Sequence, residues 1–238
     1  MNLLEEVIEA HGGLERWSQL DEVSGNLVQG GAFWEIKGQA GILEDVDVTV
    51  SLHEERVLLR PFGAADRQTL FTPERVTIED TDSVLIEALE QPRDSFAGHW
   101  PETPWSMLQL GYFAGTATWT YLTLPFALVM PGFVTMELPP WEEHGQRWRR
   151  LRVGWPDYLA THSAQQTLYV DDDGLLARHD YDIDINARTG AADYLSDYVE
   201  VAGIKLPSRQ RVFPRAPDGG ALDGPLMVSI DLSEIAFA

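Results

Sequence analysis

The 238-residue sequence predicts an α+β fold that is mainly β: a large antiparallel sheet with an N-terminal helix and an apolar insertion near the middle. Three observations carry this prediction. Apolar and polar residues alternate with period two over most of the chain, the pattern of strands with one wet face. Short turn signals separate the alternating runs. Helical spacing is confined to the first residues, and one long stretch, 103–136, carries no charge at all.

At the start, Leu3, Leu4, Val7, Ile8 and His11 share one helical face, with Glu5, Glu6 and Glu9 on the other. A helix is expected over 2–18, stopped or kinked at Gly12-Gly13, with Leu14 and Trp17 beginning a second short turn. Strands follow at 23–29, 32–38, 46–52, 56–61, 67–71 and 75–79, the third with Val46, Val48, Val50 and Leu52 on its dry face. Beyond the uncharged stretch the pattern returns at 133–138, 147–153, 164–171, 175–185, 191–201, 204–214 and 226–236. Asp173-Gly174 is a strong hairpin signal. Ala202-Gly203 separates the next pair. Pro207 marks its strand as an edge or as bulged there. No composition break divides the chain, so residues 1–238 are expected to form one domain.

Asp and Glu number 38 against 17 Lys and Arg, a formal net charge of −21. That argues against nucleic acid or an anionic membrane as partner. There is no cysteine, hence no disulfide, thiolate metal site or lipid-anchor cysteine. The opening MNLLEEVIEAHGG has no basic n-region and no long apolar h-region, which makes a cytoplasmic protein the simplest expectation.

The uncharged stretch is long enough for a membrane span, which needs about 20 apolar residues. Its Thr, Gly and Pro residues and the lack of any Lys or Arg between Arg93 and Arg147 argue against stable insertion. Thr103-Pro104 is a plausible helix start. Residues 107–114 are apolar almost all round, as in a helix buried on every side. The run 116–126 fits a continuing helix or a strand. Pro125 and Pro131 end any helix nearby. A helical insertion over about 103–132, tucked against the sheet, is the expectation. Its Trp105, Met107, Tyr112, Trp119, Tyr121 and Phe126 suit an adaptable apolar pocket and an ordinary core alike.

The phrase EAHGGLERWSQLDEVSG, and later DDDGLLARHDYDID, DYLSDYVEVAGIKLPSRQRVF and LMVSIDLSEIAF, resemble the ends of the lipoprotein-carrier (LolA/LolB-like) superfamily. The resemblance implies a strongly curved antiparallel sheet, an unclosed half-barrel, with helices covering the concave face. It implies a cavity there for acyl chains or other apolar molecules. One cytoplasmic relative, the violacein-pathway enzyme VioE, uses such a scaffold for cofactor-free chemistry. The leading expectation is a soluble protein, monomer or homodimer, that holds a small or medium apolar ligand or lipid. The alternatives are a cofactor-free enzyme acting in the same cavity and an interaction protein whose apolar segment packs between subunits.

Chemical motifs are few. No nucleophile elbow, phosphate loop, dinucleotide fingerprint or HExxH is present, and DDDG at 171–174 lacks calcium-loop spacing. No metal and no cofactor is expected. Asp180, Asp182 and Asp184 share one strand face, read as solvated. GQRWRRLRV places Trp148, Arg150 and Arg152 on one face and Arg149, Leu151 and Val153 on the other. The arginines either pair with carboxylates across strands, or Arg150 or Arg152 points inward and holds a ligand carboxylate or phosphate. Arg152 with His162 is the polar pair singled out for binding and, in an enzyme, for catalysis.

Overall fold

The computed structural model describes residues 2–238. Thirteen strands form a single antiparallel sheet: β1 (Glu22–Gly30), β2 (Val46–Ser51), β3 (Val57–Arg60), β4 (Arg67–Thr72), β5 (Arg75–Asp80), β6 (Leu85–Glu90), β7 (Val134–Glu143), β8 (Gln146–Gly154), β9 (Gln165–Val170), β10 (Leu176–Ile183), β11 (Thr189–Val201), β12 (Ile204–Pro214) and β13 (Val228–Phe237). Helices α1 (Leu3–Ala10) and α2 (Leu14–Trp17) precede β1, α3 (Ala32–Ile36) lies between β1 and β2, and α4 (Met107–Thr123) between β6 and β7.

The spatial order is 6-5-4-3-2-1-13-12-11-10-9-8-7. Two meanders, β1–β6 and β7–β13, are thus zipped together where β1 pairs with β13. This topology dictates where the uncharged stretch goes. β6 is one edge of the sheet and β7 the other, so the chain between them must cross from edge to edge. Thirteen strands laid flat would span roughly 58 Å at about 4.8 Å per spacing. A helix of α4's length covers only about 26 Å. The sheet curls around the crossing helix without closing, an unclosed half-barrel with α4 on its concave side.

The crossing helix is buried from Leu108 to Thr123. Its start is set by a capping box, Ser106 Oγ accepting from Gln109 N and Gln109 Oε1 accepting from Ser106 N. Thr103-Pro104, the expected start, lies just outside: the stronger reciprocal cap wins. Thr120 and Thr123 donate their hydroxyls to the carbonyls of Thr116 and Trp119, which satisfies them inside the helix. Gly111 and Gly115 form the face that meets β4 and β5. A Cβ at Gly111 would stand 2.8 Å from Thr69 Oγ1, and one at Gly115 would overlap the Phe71 ring. Trp119 Nε1 donates to the carbonyls of Ser51 and Glu54, which ties the helix to the β2–β3 turn. None of the described helices is long and apolar enough to cross a membrane.

The N-terminal helix stops where expected. α1 carries its own capping box from Asn2 to Glu5, and Gly12 and Gly13 take positive φ. A Cβ at Gly12 would collide with the Gly203 carbonyl, so the corner between α1 and α2 seats directly on the β11–β12 turn. His11, capping α1, is buried and donates from Nδ1 to the Val7 carbonyl at 2.7 Å.

The elements differ from those expected at α3 and β6, while Pro207 lies in a stretch paired on one side alone. Within the strand expected over 32–38, Ala32–Ile36 instead form helix α3, because Gly31 at φ 112° breaks the extended run and turns Phe33 and Trp34 into the core. Strand β6 is not among the strands that the sequence predicts. LEU-ILE-GLU-ALA-LEU-GLU composition favours helix, and an edge strand is held by its single neighbour and not by burial. Pro207 sits in β12, between two strands, but the β12–β13 ladder covers only Arg209–Val212. Around Pro207 the strand is therefore paired on one side alone, as an edge would be.

Candidate functional site

The cavity follows from how α4 is seated. Its glycine face draws it against β4 and β5, while an adjoining stripe of Phe113, Ala114, Ala117, Thr118 and Tyr121 looks toward the other half of the sheet. Opposite that stripe the strands also carry small side chains, Gly190 and Ala191. Small residues facing small residues leave a void of about 300 Å³. α3 supplies one wall through Phe33 and Trp34, and β10, β12 and β13 supply the rest through Tyr181, Ile183, Val212 and Ile230. Glu102 is the single charged residue among the described residues that line it.

Polar groups cluster behind the wall that Tyr121 and Tyr181 form. The hydroxyls of Tyr121 and Tyr181 lie 2.8 Å apart, joining α4 to β10. His162 stacks on Tyr181 with centroids 4.6 Å apart and sits 4.9 Å from the Phe113 ring. The loop that carries it is pinned by Glu55, whose Oε2 accepts from Ala160 N at 2.7 Å. His179 Nε2 lies 2.6 Å from Gln166 Oε1, and Asp193 pairs across from His179 on β11. Both Asp193 carboxyl oxygens are buried without a hydrogen-bond partner among the described residues.

Burial sets the protonation of this cluster. It pushes His162 down to about 3, with His179 and Arg93 adding to the fall, and His179 down to about 3. It drives Asp193 and Tyr121 well above their usual values and raises Tyr181 too. At neutral pH the histidines and tyrosines are therefore uncharged, and burial disfavours the charged form of Asp193. At the cavity's rim, Lys37 Nζ donates to the Pro101 carbonyl and Asn186 Oδ1, each at 2.6 Å, and lies 4.7 Å over the Trp105 ring. Burial lowers Lys37 to about 8, against an opposing pull from Glu102. No group of three or more His, Asp or Glu is placed to hold a metal ion among the described residues.

Of the residues singled out from sequence, Tyr121 lines the cavity. Trp105 packs behind it on Phe33 and Phe113, and His162 backs Tyr181. Tyr112 turns to Phe71 and Phe96, Trp119 to the β2–β3 turn, Phe126 stacks on Trp17 at 4.2 Å, and Met107 rests against Gly63. Arg150 and Arg152 alternate with the core residues Leu151 and Val153, which places them on the opposite face of the sheet. The pair Arg152 and His162 is thus split between the two faces. Phe33, Trp34, Ala114, Ala117, Tyr181 and Ala191 were not singled out.

On that opposite face lies a second, polar cleft of about 870 Å³, lined by Trp141, Arg150, Arg152, Tyr169, Asp182 and Arg215 among others. Fully buried Arg178 anchors it. Its guanidinium lies 4.8 Å over Tyr169 and binds Asp180 at 2.7 and 2.9 Å and Glu143 at 2.5 Å. Asp182 pairs with Arg215 at 2.6 Å. The face of Asp180, Asp182 and Asp184, expected to be solvated, is instead matched by arginines. Arg149 pairs with Glu137 across β7 and β8, the cross-strand pairing expected of this cluster, and with Glu6 of α1.

No family model matches the sequence, and no curated protein matches it. Among solved structures, the chain is similar to a DUF1329 family protein from Desulfovibrio piger, with a TM-score of 0.53 and 11% identity over 99% of this chain and 91% of that one. It is similar also to a LolA superfamily protein from Nitrosomonas europaea, with a TM-score of 0.52 and 9% identity over 99% of this chain and 92% of that one. The chain has the LolA-like fold: a curled, unclosed antiparallel sheet with a buried helix crossing its concave face.

Proposed function

We propose that the protein holds one small or medium apolar molecule in the cavity between α4 and β10–β13. The observation that carries this is the seating of α4: a helix buried throughout leaves about 300 Å³ of apolar-walled space beside it. That volume falls at the lower end of small-molecule sites, which run from about 300 to 1,000 Å³. The likeness to a LolA superfamily protein supports the reading, because the cavity lies on the concave side of the same kind of sheet. Arg150 and Arg152 belong to the other face and take no part in it. Native mass spectrometry of the purified protein, followed by organic extraction, tests the proposal. One bound apolar molecule per chain is expected. A protein that is empty and takes up no apolar probe overturns it.

Cofactor-free catalysis in the same cavity is the second reading. The Tyr121–Tyr181 pair favours it, since a phenol donor in a dry site stabilises a developing oxyanion. Under this reading Tyr181→Phe abolishes turnover of a bound substrate while leaving its binding in place. Equal turnover in that variant removes the reading.

A further inference from the structure

The hydrogen-bond inventory of the cavity constrains what it can hold. Two tyrosine hydroxyls bring two protons. The contact between Tyr121 and Tyr181 uses one of them, whichever residue donates. Neither hydroxyl has another partner among the described residues, so one phenolic proton remains at the cavity wall without an acceptor. Trp34 supplies a second such donor. It lines the cavity, is 5% exposed, and its Nε1–H meets no acceptor among the described residues. Indole is a donor only, so nothing but an acceptor can satisfy it. A buried donor left unpaired is costly, and displacing water from it with a group that cannot accept loses affinity.

Charge narrows the class further. Glu102 at the rim is the one charged lining residue, and it repels an anion. Lys37, beside the lining residues Pro101 and Asn186, is committed to the Asn186 side chain and the Pro101 carbonyl. A free carboxylate entering the cavity would meet no unpaired cation there. A plain hydrocarbon would strand both donors.

We propose that the cavity selects an uncharged carbonyl compound, a ketone or an ester on an apolar body, whose oxygen accepts from Trp34 Nε1 or from the Tyr121–Tyr181 pair. This rests on the reading of the cavity as a ligand site. Sites built around buried donors discriminate strongly against analogues that lack the acceptor.

Three probes of one ring size separate the outcomes: 2-acetonaphthone, 2-isopropylnaphthalene and 2-naphthoate, titrated by calorimetry against the full chain. The ketone is expected to bind roughly tenfold or more tighter than the near-isosteric hydrocarbon, with the carboxylate weakest. Removing both hydroxyls in Tyr121→Phe/Tyr181→Phe, or the indole donor in Trp34→Phe, is expected to erase the ketone's advantage at whichever donor holds the oxygen, and to leave the hydrocarbon's affinity unchanged. Equal binding of ketone and hydrocarbon by the unaltered protein overturns the donor proposal while keeping the apolar cavity. Tightest binding by the naphthoate overturns it as well. Failure of all three probes to bind overturns the cavity reading itself. The comparison of probes on the unaltered chain decides the question even where a variant does not fold.

Discussion

The hydroxyl of Tyr121 on the crossing helix meets that of Tyr181 on β10 at 2.8 Å, across a void that otherwise separates helix from sheet. It is a polar tie between α4 and the half of the sheet that the helix leaves uncovered. Tyr121→Phe removes it and leaves the Tyr181 hydroxyl facing the cavity. The expected cost is about 1 kcal/mol, read as a lower urea midpoint with an unchanged slope.

Gly115 tests the seating of the helix. Its Cβ position is occupied by the Phe71 ring, and both groups are buried in the core. Gly115→Ala gains helix propensity but forces the helix off β4, so the net effect is destabilisation of roughly 1–3 kcal/mol. Thermal or urea unfolding measures it. A more stable variant would show that the helix does not rest on its glycines.

Acid should act on the buried histidines. His11 is held near 4, and His162 and His179 near 3, chiefly by burial. Unfolded, each titrates near 6.5. Between these values the unfolded chain binds more protons, so these residues make stability fall as pH drops from about 6.5 toward 3. Asp193 works in the opposite sense, because its raised folded value favours the protonated native state as pH falls. His179→Gln should flatten the acid-side loss of stability in urea titrations at successive pH values. Asp193→Asn should steepen it. Parallel curves for all three proteins would contradict these assignments.

The two faces of the sheet should behave independently. Arg178 is buried between Asp180 and Glu143, and its removal takes the principal cation from both, leaving Asp180 the Tyr169 hydroxyl and the more distant Arg215, and Glu143 the Tyr194 hydroxyl and Trp141 Nε1. Arg178→Ala is expected to cost roughly 3–5 kcal/mol. Arg152 is exposed on the same face and makes no ion pair among the described residues. Arg152→Ala should leave both stability and apolar-probe binding unchanged, as calorimetry and probe titration would show. Loss of probe binding in Arg152→Ala would join the cleft to the cavity.

Much of this architecture is legible in the sequence, for identifiable reasons. Val46, Val48 and Val50 declare a dry face without any tertiary information, because strand periodicity is local. The Gly12-Gly13 stop and the Asp173-Gly174 turn are equally local. β6 escaped because its edge position is a property of the whole sheet. The site was harder to see. Large aromatics drew attention to α4, yet Tyr112, Trp119 and Phe126 fill space, and the void comes from Ala114, Ala117, Gly190 and Ala191. Small residues announce a cavity only once they are known to face one another, and that pairing depends on the register of α4 over β10–β13. Alternation separates the two faces of β8 but does not say which is the inner one, since Arg149 and Arg150 are equally charged and burial of Leu151 and Val153 decides it.

The central claim is that the space beside α4 is a binding site. Ala117 faces it, and Ala117→Leu fills it from the helix side without touching the Gly111 and Gly115 contacts. Titration of both proteins with N-phenyl-1-naphthylamine, with circular dichroism as the check on folding, is the most direct measurement. The account requires saturable one-to-one binding by the unaltered chain and its loss in a folded Ala117→Leu variant. Undiminished binding by that variant, or no binding by either protein, would contradict it.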